Sequence, residues 1–257
     1  MKKYIIYSMA VAFALSAMFI ACKKDKDDKG SNGGPVTEEG IVINGVRWAT
    51  RNLDIGGHFV AKPEDYGALF QWGRRADGHE SRTSFAYPTN DESEENGVVN
   101  VSELDTYGQI PTTHAAYGKF VKQSDDPYDW RTPQDDNLWG VAKTANDPSP
   151  TGWRVPTHEE LESLANETYV THEWTTKNGI NGYRFTDKAT GNTLFLPAAG
   201  ERNPNSSTLI YAGMVGSYWG SSVTGAYYLS FFSGTVDPSY YRAAGRSLRC
   251  VAEKSEL

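Results

Sequence analysis

The groups of this 257-residue chain that could do chemistry unaided are its two cysteines, five histidines and 32 carboxylates. Cys250 stands in Ser247-Leu248-Arg249-Cys250-Val251-Ala252, near the end of an alternating apolar pattern. A thiolate nucleophile needs exposure and a neighbouring base; a cysteine in this setting reads as a buried structural thiol. His158-Glu159-Glu160-Leu161-Glu162 begins like a metalloprotease helix, but the second histidine, due one turn later, is Glu162. Zinc is therefore not expected there. His58, His79, His114 and His172 are scattered singly and predict no ligand set. Asp125, Asp126, Asp129, Asp135 and Asp136 could hold calcium through carboxylate oxygens. Without EF-hand spacing they read as turn and capping residues. No metal and no cofactor is expected, and calcium is not indicated.

No Gly-x-Ser-x-Gly elbow, Gly-x-Gly-x-x-Gly turn or Walker loop occurs, so no catalytic residue is assigned. A carboxylate pair able to cleave a glycoside would meet only in the fold. An enzyme acting on surface glycans or peptides through the irregular stretch 76–130 therefore stays open as an alternative. The other distinctive composition lies between Thr224 and Ala243, where Tyr227, Tyr228, Phe231, Phe232, Tyr240 and Tyr241 are set among Ser, Gly, Thr and Asp. Tyrosine with serine and glycine is the alphabet of antibody paratopes, because tyrosine offers a large amphipathic contact at small entropic cost. The candidate ligand-binding residues are Tyr227, Tyr228, Asp237, Ser239, Tyr240 and Tyr241. The competing reading is an ordinary aromatic hairpin with alternate residues in the core.

The elements that must position these residues are partly legible. Ile41 to Ala49 carries Asn44-Gly45 between apolar β-formers, a two-residue hairpin signal. Glu64 to Arg74 reads as a short helix weakened by Gly67. Thr157 with Glu160 forms a capping box after Pro156, and Leu161, Leu164 and Ala165 supply a buried stripe, so a helix starts at Thr157. Gly182–Thr186 and Thr193–Leu196 read as a hairpin turning through Asp187 to Asn192. Tyr218-Trp219, Ala226–Phe232 and Ser247–Val251 complete the strands, with a turn-rich excursion from Ser233 to Tyr241. The predicted class is α+β: two short helices packed on a mainly antiparallel, loop-rich sheet.

The N-terminus is a separate unit. Lys2-Lys3, an apolar run from Tyr4 to Ile20, then Ala21-Cys22 and the charged run Lys23–Lys29 follow the order of a secretory signal. At about 17 residues the run is short of the roughly 20 that span a bilayer. Ala21-Cys22 resembles the lipobox of bacterial lipoproteins, although Phe19 replaces the usual Leu. The resemblance implies cleavage after residue 21 and acylation of Cys22. A Lys/Asp-rich stretch after that cysteine resembles the outer-surface export signal of Bacteroidetes-type lipoproteins. Residues 22–39, rich in charge and containing Gly30, Ser31, Asn32, Gly33, Gly34 and Pro35, read as a flexible tether, and 40–257 as one domain. Without Lys2 and Lys3 the mature chain carries 23 basic and 32 acidic side chains, a net charge near −9. That balance argues against nucleic acid as a partner.

Gly152-Trp153-Arg154-Val155-Pro156-Thr157-x-x-Glu160-Leu161 resembles the Fibrobacter succinogenes major paralogous domain family. Further motifs occur in the family's order: Trp48-Ala49-x-x-Asn52-Leu53, Tyr66–Trp72, Asn146-Asp147-Pro148-x-Pro150, Leu196–Gly200, Tyr218–Ser222, and Arg242-x-x-Gly245-x-Ser247-Leu248-Arg249-Cys250-Val251. Together they span about Ile41 to Val251. The resemblance implies a C-type lectin-like fold on a secreted or lipid-anchored protein, with no general activity. Many relatives carry a cysteine between the two prolines of the third motif, able to pair with the C-terminal one. Here that position is Ser149, which implies a free thiol at Cys250. Neither the reactive cysteines of formylglycine-generating enzymes nor the calcium-dependent sugar-binding signatures are present. Relatives diversified by retroelements vary in the C-terminal segment.

The expected protein is a non-enzymatic lipoprotein held at the outer membrane through lipid on Cys22 and facing outward. It would bind an extracellular protein or glycan or mediate adhesion; a structural subunit of a surface assembly is the remaining alternative. Replacing Cys22 by Ala should abolish acyl labelling and move the chain from the membrane to the soluble fraction. Unchanged membrane partition would overturn the anchor assignment.

Overall fold

The structure is a computed structural model that describes residues 38–88, 96–123, 125–222, 225–231, 235–239 and 241–253. Cys22, the signal segment, the acidic run 91–95 and Tyr240 lie outside the described residues. The fold starts before Gly40. Glu38, assigned to the tether on composition, accepts the Thr50 and Gly40 N–H groups at 2.9 and 3.0 Å and pairs with Arg51 at 2.8 Å. A carboxylate this well satisfied belongs to the domain rather than to a solvated spacer.

In chain order the strands are β1 (Ile41–Ile43), β2 (Val46–Trp48), β3 (Ala86–Tyr87), β4 (Val99–Asn100), β5 (Phe120–Val121), β6 (Arg131–Thr132) and β7 (Trp153–Arg154). The helix α1 (His158–Ala165) follows. After it come β8 (Val170–Lys177), β9 (Ile180–Asp187), β10 (Thr193–Pro197), β11 (Glu201–Arg202), β12 (Leu209–Ile210), β13 (Ser217–Ser222), β14 (Gly225–Ser230), β15 (Thr235–Pro238) and β16 (Val251–Ala252). Three antiparallel sheets carry the architecture, in the orders β1-β2-β16-β7, β10-β9-β8 and β13-β14-β15. β3 with β5 and β4 with β6 make two-residue parallel pairs, and β11 with β12 a small hairpin. The class is α+β and mainly antiparallel, with one α-helix among the described residues instead of two.

The predicted helix over Glu64–Arg74 does not form because its backbone groups are taken by segments distant in the chain. Ala68 N–H donates to Leu53 O, Phe70 N–H to Arg246 O and Trp72 N–H to Arg242 O. Gly67 sits at φ +67°, where a Cβ would come within 2.4 Å of the Leu53 carbonyl, so the chain enters this ladder in a conformation only glycine tolerates easily. The excursion from Ser233 to Tyr241 contains β15, a strand paired with β14, rather than turns alone. Ser247–Val251 is extended, but it bonds to several partners in turn and joins a sheet only at Val251. The Asn44-Gly45 hairpin and the β9–β10 hairpin form as predicted. β8 was not anticipated, although Asn178-Gly179, with both residues at positive φ, is the same turn signal between β-formers.

Indole N–H groups tie the long irregular stretches to the core. Trp72 donates to Gly220 O, Trp130 to Trp72 O, Trp139 to Asn146 O and Trp219 to Phe70 O, and all four rings are fully buried. Burying a large apolar side chain contributes on the order of 1.5–3 kcal/mol, and here each ring also satisfies a loop carbonyl.

The Gly152–Leu161 motif forms one closed unit. Arg154 holds both Glu160 oxygens at 2.7 and 2.6 Å, Glu160 also accepts the Thr157 N–H at 2.8 Å, and Thr157 Oγ1 accepts the Glu160 N–H at 3.3 Å. The capping box thus starts α1 and fastens it to β7.

Cys250 is fully buried, and burial pushes its thiol up to about 12, which removes it as a nucleophile at neutral pH. Its Sγ lies 3.1 Å from the Ser149 Oγ. The position where the resemblance implies a cysteine in relatives is therefore already in contact with Cys250. Ser149→Cys should form a 149–250 disulfide under oxidising conditions and stabilise the fold by about 2–4 kcal/mol. Thiol titration with and without reductant, alongside urea unfolding, checks this; two persistent free thiols would show the geometry to be wrong.

Candidate functional site

The β13–β14–β15 meander sorts the predicted tyrosines onto different faces. Trp219, Tyr228 and Asp237 are direct cross-strand partners, as are Gly220, Tyr227 and Pro238. Because side chains alternate along a strand, Tyr227 and Tyr228 point oppositely. Tyr227 packs on the α1 side, its ring 4.1 Å from that of His158. Tyr228 faces the C-terminal segment and forms one wall around Arg246, whose Cζ lies 3.7 Å from the Tyr228 ring centroid and 4.3 Å from that of Trp219.

Arg246 is the centre of the site. Its Nη1 donates to Ser239 Oγ at 2.8 Å and its Nε to Glu201 Oε2 at 3.2 Å. Burial lowers its pKa, with the Glu201 charge opposing that fall. Arg246 also lines an open cleft of about 370 Å³, together with Glu201, Asn203, Pro204, Asn205, Tyr241 and Ala244. Tyr241 is 46% exposed, and its ring stacks edge-on against Tyr128 at 4.9 Å.

The opposite rim is the β11–β12 turn. Asn203 Oδ1 accepts the Asn205 and Ser206 N–H groups at 2.9 and 3.0 Å, an Asx turn closed by Asn203 N–H to Thr208 O at 2.9 Å. Arg202 holds the turn from below, stacked 4.4 Å over Phe120, with Nε donating to Ser207 O and Nη2 to Ser84 O. Burial pushes the Arg202 pKa down to about 10. Arg202 and Gly245 exchange both backbone hydrogen bonds, which joins this rim to the segment carrying Arg246. A Cβ at Gly245 would come within 2.8 Å of the Arg202 Cβ, so glycine is what permits that approach.

Of the six predicted residues, Tyr241 lines the cleft, Tyr228 and Ser239 hold Arg246, and Asp237 lies opposite Tyr228. Tyr227 is removed from the site by strand alternation, and Tyr240 lies outside the described residues. Glu201, Asn203, Asn205, Arg246 and Tyr128 were missed. Arg246 falls at a position that the last motif leaves unspecified, and no sequence spacing links it to Glu201 or Asn205.

Other clusters resolve into structural networks. Asp77, His79 and Glu80 bring their side chains together, although His79 predicts no ligand set from the sequence. His79 Nε2 accepts the Gln71 N–H at 3.0 Å, so Nδ1 carries the proton and donates to Asp77 Oδ1 at 2.7 Å. Glu80 accepts the Gly56 and Gly78 N–H groups, and Arg74 pairs with the other Asp77 oxygen. Although burial opposes it, the Arg74 guanidinium holds the Asp77 carboxyl well below the usual carboxylate range. A cation here would have to displace the His79 proton and face Arg74.

The five aspartates weighed for calcium do not converge. Asp135 Oδ1 caps the Asn137 N–H, Asp136 pairs with Arg242, and Asp125 accepts from Asn96. A larger cleft, about 750 Å³, lies beside Lys143, Arg154, Glu159, Glu160 and Glu253. Its Arg154 and Glu160 are committed to each other and Lys143 to the Ser149 and Trp153 carbonyls.

Comparison with protein-family profiles, with curated proteins and with solved structures gives no match to this chain.

Below Tyr128 lies a carboxylate in an unusual state. Asp129 is 1% exposed, no side-chain donor among the described residues reaches either oxygen, the Trp130 and Arg131 backbone N–H groups are its local donors, and the nearest guanidinium nitrogen, Arg242 Nη1, is 3.9 Å away. Burial pushes its pKa up to about 7, against the lowering effect of Arg242. The folded state thus holds a proton that the unfolded state, with its aspartate near 3.9, releases. This contribution to stability is complete below about pH 4, declines as pH rises, and is gone above about pH 7. Asp129→Asn should be more stable than the wild type at pH 8, by on the order of 2–4 kcal/mol. The difference should shrink by pH 5. Urea midpoints at the two pH values check this, and a pH-independent difference would overturn it.

Proposed function

We propose that this chain is a non-enzymatic, surface-displayed lipoprotein, anchored at the outer membrane through lipid on Cys22. Its single C-type lectin-like domain, of the Fibrobacter succinogenes major paralogous type, binds an extracellular protein or glycan. The observation that carries the reading is the cleft at Arg246, where an exposed tyrosine ring faces uncommitted polar groups on a rigid frame. That combination, mostly pre-formed with a few fixed polar groups, is what a small-ligand site requires. The signal-like N-terminus supports display outside the cell, and the ordered motifs support the family.

Among the described residues, Glu201 is the one carboxylate lining the cleft, and it is paired with Arg246. Glycoside hydrolysis by the usual routes needs two facing carboxyl groups, so the cleft favours binding over cleavage. A second reading, a structural subunit of a surface assembly, is favoured by one feature. Among the described residues β8 pairs only with β9, leaving an eight-residue outer edge that carries Trp174 at 45% exposure.

The faces of the meander provide the test. On an array of proteins, peptides and glycans, Tyr241→Ala should weaken binding at least tenfold, whereas Tyr227→Ala, on the α1 side, should leave it within about twofold. Equal effects of the two changes would dissociate binding from the cleft.

A further inference from the structure

We propose that the Tyr241–Arg246 cleft takes a neutral saccharide and does so without calcium; the inference rests on the binding reading above and names its ligand class.

The charge arrangement comes first. Glu201 and Arg246 are adjacent in the cleft wall, and among the described residues each keeps one polar atom without a partner. Glu201 Oε2 receives Arg246 Nε, so Oε1 stays open. Arg246 commits Nε to Glu201 and Nη1 to Ser239, so Nη2 stays open. A carboxylate or sulfate approaching Nη2 meets the Glu201 charge, and an ammonium approaching Oε1 meets the guanidinium. A hydroxyl group suits both, because it donates to the carboxylate and accepts from the guanidinium. Two neighbouring hydroxyls on a sugar ring span such an acceptor–donor pair.

The remaining walls fit the same ligand. Asn205 is exposed and its side-chain amide has no partner among the described residues, which adds a donor and an acceptor. Asn203 spends Oδ1 on the turn and keeps its Nδ2 hydrogens. Across the cleft the Tyr241 ring, propped by Tyr128, offers an apolar face to the C–H groups of a pyranose. The volume, about 370 Å³, falls at the small end of the range of about 300–1,000 Å³ that accepts a compact ligand. Calcium has no place in the arrangement, since the one carboxylate of the lining among the described residues is already paired with Arg246.

The test uses the full chain in detergent micelles on an array of neutral, sialylated and sulfated oligosaccharides, with acidic and basic peptides as comparison probes. Neutral oligosaccharides should bind equally in EDTA and in calcium, and change less than twofold between 0.05 and 0.5 M NaCl. Tyr241→Ala should weaken binding at least tenfold, Tyr241→Phe should restore it to within threefold of the wild type, and Asn205→Ala should cost several-fold. Both positions are exposed, and an unchanged near-ultraviolet dichroism spectrum shows that the variants fold. If only charged glycans or peptides bind, and Tyr241→Ala removes that binding, the saccharide assignment is overturned while the cleft remains a binding site. If no probe binds, or if Tyr241→Ala changes nothing, both fall.

Discussion

A buried cation with no carboxylate at salt-bridge distance among the described residues sets the terms of this fold. Arg249 is fully buried, and its guanidinium donates to Asn52 Oδ1 at 2.9 Å, Ala49 O at 3.2 Å and Phe195 O at 3.1 Å. An ion this deep is tolerated only when its donors are met, so the segments supplying those oxygens must converge on the C-terminal strand. Asn52 relays the network onward, its Nδ2 donating to Tyr66 O and the Tyr218 hydroxyl, which itself donates to Pro197 O. Burial pushes the Tyr218 phenol up to about 12, so it stays a neutral donor. The first hairpin, the β10 end, β13 and the Tyr66 turn are thereby held to one point.

The same C-terminal segment carries three arginines used in different ways. Arg249 organises the core, Arg242 stacks on Trp72 between Asp129 and Asp136, and Arg246 is clamped by Trp219 and Tyr228 at the edge of the cleft. Stacking on aromatic rings suits a planar, weakly hydrated guanidinium far better than it would an ammonium. The arrangement also explains why a chain of net charge −7 has so much positive charge inside. Among the described residues, Arg51, Arg74, Arg131, Arg154, Arg242 and Arg246 are buried against carboxylate partners, while Arg202 and Arg249 are met by backbone carbonyls and neutral side chains.

Most residues of the ordered motifs are frame residues. Trp153, Arg154, Thr157 and Glu160 build the start of α1, Asn52 and Arg249 hold the core, and Tyr218 and Trp219 seat β13. This is why the motifs spoke clearly about architecture and little about ligand. The cleft is assembled from positions the motifs do not specify: Asn205 in a turn, Arg246 in an open slot of the last motif, Tyr128 in the irregular stretch before Trp130. Their types are ordinary, and only their meeting is informative.

Where the signal was local, the residues were sufficient by themselves. Asn44-Gly45 turns a hairpin because both positions accept positive φ, and Thr157 with Glu160 caps a helix within four residues, so no distant contact is needed to read either. The lack of nucleophile and phosphate-loop motifs, and the signal-like N-terminus, are equally local facts. Tertiary structure decided everything that depended on competition for backbone hydrogen bonds or on strand register. It converted Glu64–Arg74 from a helix into part of a ladder, made half of a supposed excursion into β15, and sent Tyr227 to α1 while keeping Tyr228 beside Arg246. It also brought Ser149 to Cys250 across 101 residues and left Asp129 buried beside Arg242 with a raised pKa. Composition could mark the tyrosine-rich segment as unusual. Which of its rings meets solvent is set by alternation against partners far away in the chain, and that information is not present in any window of sequence.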